Sequence, residues 1–223
     1  MIYYVINLDR RPDRRIRVTQ KLLQQGFGSA NVTFFSAVDG KTLVVDPFTR
    51  HIFRENTFQS LCGVVGCALS HFYVILEFLR SKDSCCTIFE DDIDFLPQTT
   101  PTVIEEIVLR IPACDLIFLG YHTTTQYNLP DRGILGFTRF HPGKYLGGTF
   151  AYVLTRAGAQ KIYEHIVLHG IQEAIDGFYR QLLKNGVITA YEIGPRLVTS
   201  QWLDTETPDV DSDIQRDNCA LPI

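Results

Sequence analysis

Apolar positions along the chain fall into short continuous runs alternating with helix-spaced stripes. Ile2 to Leu8 is rich in β-branched and aromatic residues and predicts a buried strand. Pro12 suits the first turn of a helix, where its missing N–H is not needed. That helix runs to about Gln25, carries Ile16, Val18, Leu22 and Leu23, and stops at Gly26. Val32 to Val38 predicts a second strand closed by Asp39-Gly40, and the polar stretch from Lys41 to Gln59 reads as an irregular loop. Gly63 to Leu79 predicts a core helix, Cys85 to Phe89 a strand, Thr102 to Arg110 a helix, and Asp115 to Leu119 a buried strand ending at Gly120. A polar loop follows from Tyr121 to Arg132, then strands at Ile134 to Phe140 and Thr149 to Leu154. Helices are expected at Arg156 to His169 and Gln172 to Asn185, and the last strands at Val187 to Ile193 and Arg196 to Thr199. Strands alternate with helices over the first two-thirds, which favours a single three-layer α/β/α domain with a mainly parallel sheet. The domain is drawn at residues 1–202. Residues 203–223, acidic and polar, read as an irregular C-terminal arm or lid.

Length and composition agree with that picture. The chain has 223 residues, 45% hydrophobic and 21% charged, the values of an ordinary globular protein. A net charge of −4 argues against a nucleic-acid partner, which requires a positive surface, but leaves room for a small anionic ligand. The N-terminus begins as a strand and lacks the pattern of a secretory signal. The six cysteines contain no CxxC pair, and free, reduced core cysteines in a cytoplasmic protein are expected. Leu61 to Leu79 approaches the length that spans a bilayer. Ser70, His71 and Glu77 within it favour a buried core helix, with at most peripheral membrane contact.

Four local patterns carry candidate chemistry. The first is Glu90-Asp91-Asp92-Ile93-Asp94, four carboxylates in five positions directly after a strand. In open α/β sheets ligands bind at the carboxyl ends of strands. Clustered carboxylates repel one another unless a cation holds them, and magnesium or manganese suits oxygen ligands. An acidic turn in solvent has the same spacing; the direct junction of strand and acids favours a site. The second is Asn7-Leu8-Asp9-Arg10-Arg11-Pro12-Asp13-Arg14-Arg15, where a strand gives way to a helix. A helix N-terminus and guanidinium groups suit phosphate, although each arginine taken singly reads as a surface pair. The third is Gly63 to His71, a small-residue helix start able to pack against a ligand or another backbone, with His71 read as a satisfied core histidine. The fourth is Asp176, by itself a cap or surface charge.

Taken in order, these pieces resemble glycosyltransferase family 25. The resemblance rests on Tyr4-Val5-Ile6-Asn7-Leu8-Asp9-Arg10, Arg14, Ala37-Val38-Asp39-Gly40, Gly66-Cys67-Ala68-Leu69-Ser70-His71 and Phe89-Glu90-Asp91-Asp92. It continues in Gly148 to Leu154, Asp176, Pro195 to Gln201 and Ser212-Asp213-Ile214, so it spans almost the whole chain. It implies a GT-A fold, a UDP-sugar donor and a hexosyl transfer, of galactose or glucose, with inversion. The implied acceptor is a saccharide, a lipooligosaccharide or a glycoprotein, and the implied cofactor is Mn2+ or Mg2+. The acidic run looks like the family's metal motif, with Glu90, Asp92 and Asp94 as metal ligands. Asn7, Leu8, Arg10, Arg14, Asp39, Gly40, Ser70, Asp91, Gly148 and Thr149 are the implied donor-binding residues. Asp176 is the implied general base, with Glu173 or Asp94 next in line. The run departs from an Asp-x-Asp pattern, and no histidine follows His169 to complete a metal shell; Asp211 or Asp213 could replace it. A metal-dependent nucleotidyl- or phosphotransferase, or a catalytically silent binding module, would need the same residue types.

Overall fold

A computed structural model of the chain describes residues 1–110, 113–122, 136–141, 143–200, 213–216 and 219–223. Strand β1 (Ile2–Asn7) sends Tyr3 and Val5 to one side and Tyr4 and Ile6 to the other, and all four are buried. Side chains alternate across a strand, so a strand covered on both faces must be apolar at every position. Strands β2 (Val32–Ser36), β3 (Cys85–Glu90), β5 (Leu116–His122), β6 (Gly136–Arg139), β7 (Gly147–Thr155) and β8 (Ala190–Gly194) complete a seven-stranded sheet, in the order β2-β1-β3-β7-β5-β8-β6. Five strands run one way; β7 and β6 are antiparallel to their neighbours. The expected α/β domain is therefore present, with a mixed sheet that is mainly parallel.

Helices α3 (Cys62–Arg80), α5 (Arg156–His169) and α6 (Ile175–Lys184) contribute to the core on one face. Helices α1 (Pro12–Gln24) and α4 (Pro101–Arg110) contribute to the core on the other. Helix α3 is long and apolar enough to cross a membrane, yet Val65, Leu69, Phe72, Ile75 and Phe78 are all buried in the first core. A helix apolar around most of its surface belongs inside a protein core or a bilayer, and here the sheet, α5 and α6 cover it. A short strand β4 (Ile93–Phe95) leaves the acidic run and pairs with β9 (Val198–Ser200) as a separate two-stranded sheet.

Three expectations change. Within the stretch read as an irregular loop, Pro47–Ile52 forms helix α2, started by the Asp46 carboxylate accepting from the Thr49 N–H at 2.7 Å. Strand β5 does not stop at Gly120 but continues to His122. The cysteines are not all reduced: Cys62 and Cys219 form a disulfide, while Cys67, Cys85, Cys86 and Cys114 are free. The bond fastens the C-terminus to the start of α3. The Cys62 N–H donates to the Cys219 carbonyl at 2.8 Å, and the Leu221 N–H to the Ser60 carbonyl at 2.9 Å. Residues 201–212, across which the arm was to begin, lie outside the described residues; the short helix α7 (Asp213–Arg216) follows them.

Candidate active site

Two cavities lie at the carboxyl ends of the parallel strands and share a wall formed by Glu90, Asp92 and Ile214. The first is bounded by the end of β1, the loop after β2, one side of α3 and the start of α7. Of the expected donor residues, Leu8, Arg10, Arg14, Asp39, Gly40, Ser70 and Asp91 line it. The second is lined by His122, Tyr145, Gly147, Gly148, Phe150, Asp176 and Ser200. Thr149 lines neither cavity; it is buried, and its hydroxyl has no hydrogen-bond partner among the described residues.

The small residues of α3 set the shape of the first cavity. A Cβ on Gly66 would stand 2.6 Å from the Val38 carbonyl oxygen, and one on Gly40 would overlap the Cys62 carbonyl. The loop after β2 is thus laid directly on the helix, the close backbone approach that glycine permits. Ser70 fixes it: its hydroxyl accepts from the Val38 N–H at 2.8 Å and donates to the Gly66 carbonyl at 2.7 Å.

The acidic run divides by role. Asp91 is buried and accepts from Asn7 Nδ2 at 2.6 Å and from Arg14 Nη1 at 2.8 Å. Burial raises its pKa, against the pull of Arg14 and Asn7. Burial alone would lower the Arg14 pKa, but Asp91 and Asp92 hold it above its ordinary value. Asn7 and Asp91 thereby brace Arg14 at the cavity wall. Asp92 lies 3.9 Å from Arg14 Nη1, and its Oδ1 is buried with no hydrogen-bond partner among the described residues. Burial, then the charge of Glu90, pushes its pKa up to about 7. Glu90 Oε1 meets His71 Nε2 at 3.2 Å, and the other His71 nitrogen meets the Tyr152 hydroxyl at 2.8 Å. His71 is fully buried with both nitrogens engaged, as a satisfied core histidine should be, yet it borders the cavity. Asp94 stands apart from the other three acids. It ion-pairs with Lys21 at 2.6 Å and lines neither cavity, so it is not grouped with Glu90 and Asp92.

Cys67, His71 and Glu90 place one ligand atom each within 4.8 Å of one another, a cluster able to coordinate a divalent metal. Burial raises the Cys67 pKa well above its ordinary value. The arginines divide as well. Arg10 donates to Asp39 and to Asp213, each at 2.6 Å; Arg11 donates to Asp213 at 2.7 Å; and Arg15 lies over the Phe34 ring. Asp213, considered above as a metal ligand, is held by these two arginines instead; Asp211 lies outside the described residues.

In the second cavity Asp176, at the start of α6, accepts from the Gly148 N–H at 3.1 Å and from the Gly177 N–H at 2.8 Å. Gly148 has φ +62°, and a Cβ there would stand 2.8 Å from the His122 ring. His122 was not among the residues singled out in the sequence. Its Nε2 lies 2.9 Å from the Ser200 hydroxyl, and burial lowers its pKa. Glu173 pairs with Arg180 at 3.4 Å and does not line the cavity.

The sequence model described as glycosyltransferase family 25 (LPS biosynthesis protein) matches residues 1–178. The chain belongs to glycosyltransferase family 25. A provisionally named glycosyltransferase of Acanthamoeba polyphaga mimivirus is 32% identical over 222 residues, covering 95% of this chain and 66% of that protein. The mouse protein named inactive glycosyltransferase 25 family member 3 is 30% identical over 185 residues, covering 74% of this chain and 29% of its own length. The chain thus spans about two-thirds of the viral relative and less than a third of the mouse one. Among solved structures, a Drosophila β-1,4-galactosyltransferase 7 variant in complex with manganese, UDP-galactose and xylobiose aligns over 100% of this chain and 81% of its own, at 9% identity and a TM-score of 0.40. A likeness that distant carries no argument about chemistry.

Proposed function

We propose that this family 25 chain transfers a hexose, galactose or glucose, from a UDP-sugar to a hydroxyl of a saccharide or glycoconjugate, with inversion by single displacement. The observation that carries the reading is the shared wall. One cavity bordered by Arg10 and Arg14 meets a second bordered by Asp176, and Glu90 and Asp92 stand between them. That order suits a nucleotide on one side, an acceptor on the other and a diphosphate at the junction.

A divalent cation fits the junction. The buried Oδ1 of Asp92, without a hydrogen-bond partner among the described residues, is the kind of atom that a cation satisfies, and Glu90 adds a second carboxylate. Asp92 and Glu90 would hold Mn2+ or Mg2+, and its chemistry there is to neutralise charge that grows on the departing diphosphate. Arg14, braced by Asp91, presents fixed positive charge beside the same acids. Asp176 accepts the acceptor's proton, its orientation set by the Gly148 and Gly177 N–H groups. A catalytically silent nucleotide-sugar-binding module is the second reading, because the mouse relative's name calls that protein inactive.

Transfer with a panel of UDP-hexoses, and calorimetry of UDP with manganese or with chelator, test the reading together. We expect UDP to bind more tightly with the cation. We expect Asp92→Ala to lose both that gain and transfer, while the exposed Glu106→Ala changes neither. Wild-type turnover in Asp92→Ala would overturn the assignment; UDP binding without product from any acceptor would favour the silent module.

A further inference from the structure

The second cavity holds a feature that the transferase reading does not require. Its volume is about 410 Å³, within the ~300–1,000 Å³ of small-molecule sites. Most of its walls are buried or half-buried, but two large apolar side chains at its edge are not. Tyr145 is 49% exposed and Ile214 is 39% exposed. Single exposed apolar residues need no explanation, but an aromatic ring at the mouth of a cavity of mixed polar and apolar lining is a candidate ligand contact. The ring of Tyr145 rests where Gly147 lacks a side chain; a Cβ there would stand 2.7 Å from Cε1 and 2.9 Å from the hydroxyl oxygen. The glycine therefore seats the ring beside the cavity while half its surface stays open. Deeper in, Asp176, His122 and Ser200 supply the polar groups.

We infer that Tyr145 is a stacking platform for the acceptor, and that the acceptor's reacting unit is a pyranose ring. A pyranose presents a patch of C–H groups on one face and hydroxyls at its edge. The half-open ring suits the first, and Asp176 with the His122–Ser200 pair suits the second. A polypeptide acceptor fits less well. Extended peptides are commonly held by main-chain bonds to a free strand edge, and at the start of β7 Gly147 is paired with His122 of β5 while the Gly148 N–H is already taken by Asp176. Tyr145 borders the second cavity and not the first, which places it on the acceptor side of Glu90 and Asp92. The inference rests on the transferase reading for the word acceptor, but its binding claim stands separately.

The test uses the full chain with UDP and manganese present. Saturation-transfer NMR with lactose and a set of methyl hexopyranosides, beside an unglycosylated hydroxyl-bearing peptide, measures binding in wild type, Tyr145→Ala and Tyr145→Phe. We expect a pyranoside to bind wild type, to bind Tyr145→Ala about three- to tenfold more weakly, and to be restored by Tyr145→Phe. In transfer assays the acceptor KM should rise by the same factor, with kcat and donor KM within about twofold. Equal pyranoside binding by wild type and Tyr145→Ala, no pyranoside binding at all, peptide binding alone, or a rise in donor KM instead would each overturn it. Donor failure is read separately: a chain that binds pyranosides through Tyr145 but never UDP loses the transferase reading and keeps the platform.

Discussion

Replacing Asp176 by Asn separates catalysis from structure, because the carboxylate has a visible structural task. Its two oxygens accept one backbone N–H each, from Gly148 and Gly177. An asparagine keeps the shape but offers a single carbonyl oxygen, so one of these N–H groups faces an amide NH2. Losing such a bond costs about 1–3 kcal/mol. For a domain of this length that lowers Tm by roughly 2–12 °C. A fold that starts at ~5 kcal/mol and loses ~2 remains about 99% folded at assay temperature. Unfolding therefore removes about one per cent of activity. Loss of a general base removes far more, ~100-fold or greater, equivalent to at least ~2.7 kcal/mol of barrier. The two effects differ enough to be read side by side. Steady-state transfer gives kcat, calorimetry gives UDP affinity and thermal unfolding gives Tm. We expect UDP affinity within about twofold of wild type, a Tm a few degrees lower, and kcat down by ~100-fold or more. Near-normal kcat with the lowered Tm would show that Asp176 only ties α6 to β7. The base would then be sought at His122, which lines the same cavity, and not at Glu173 or Asp94, which do not.

Two further outcomes follow from the packing beneath the site. Gly40→Ala should lower stability by roughly 1–3 kcal/mol or more, since its Cβ would overlap the Cys62 carbonyl, whereas Gly28→Ala, with open space around it, should change Tm little; equal melting of the two variants would refute the close packing of the loop on α3. Cys219→Ser should cost about 2–4 kcal/mol, because the bond closes a span of 157 residues, and non-reducing mass spectrometry should find Cys62 and Cys219 joined. Protein recovered with both cysteines reduced would refute the bond.

What the sequence discloses, and what it hides, follows the range of the forces involved. Local patterns survive translation well. The β1 run is apolar at successive positions because both faces are covered, and the span of α5 is visible as Arg156 to His169. The strand-to-acid junction likewise locates Glu90, Asp91 and Asp92 at a strand end beside a cavity. Composition alone cannot divide that run, because each acid takes its role from a residue far along the chain. Asp91 is matched to Asn7 and Arg14, Glu90 to His71 and Asp94 to Lys21. The resemblance groups Glu90, Asp92 and Asp94 as metal ligands; strand β4 carries the last of them away to Lys21 of α1. The same logic hid His122. Gly120 reads as a stop, the usual meaning of glycine after an apolar run. Its actual cause is contact: a Cβ at Gly120 would overlap the Val198 carbonyl of β9, so the glycine lets a second sheet cross the strand while β5 runs on for two more residues. Punctuation residues therefore carry two meanings, a chain turning or a neighbour pressing close, and only the second extends a strand into a site. The disulfide is hidden for a related reason, since no local pattern around Cys62 announces a partner 157 positions away. The Gly120 stop and the unpaired cysteines are thus long-range contacts that local patterns do not show, whereas α2 carries its own local start at Asp46 and Pro47; His122, on the strand that runs past Gly120, borders the cavity where the acceptor is proposed to bind.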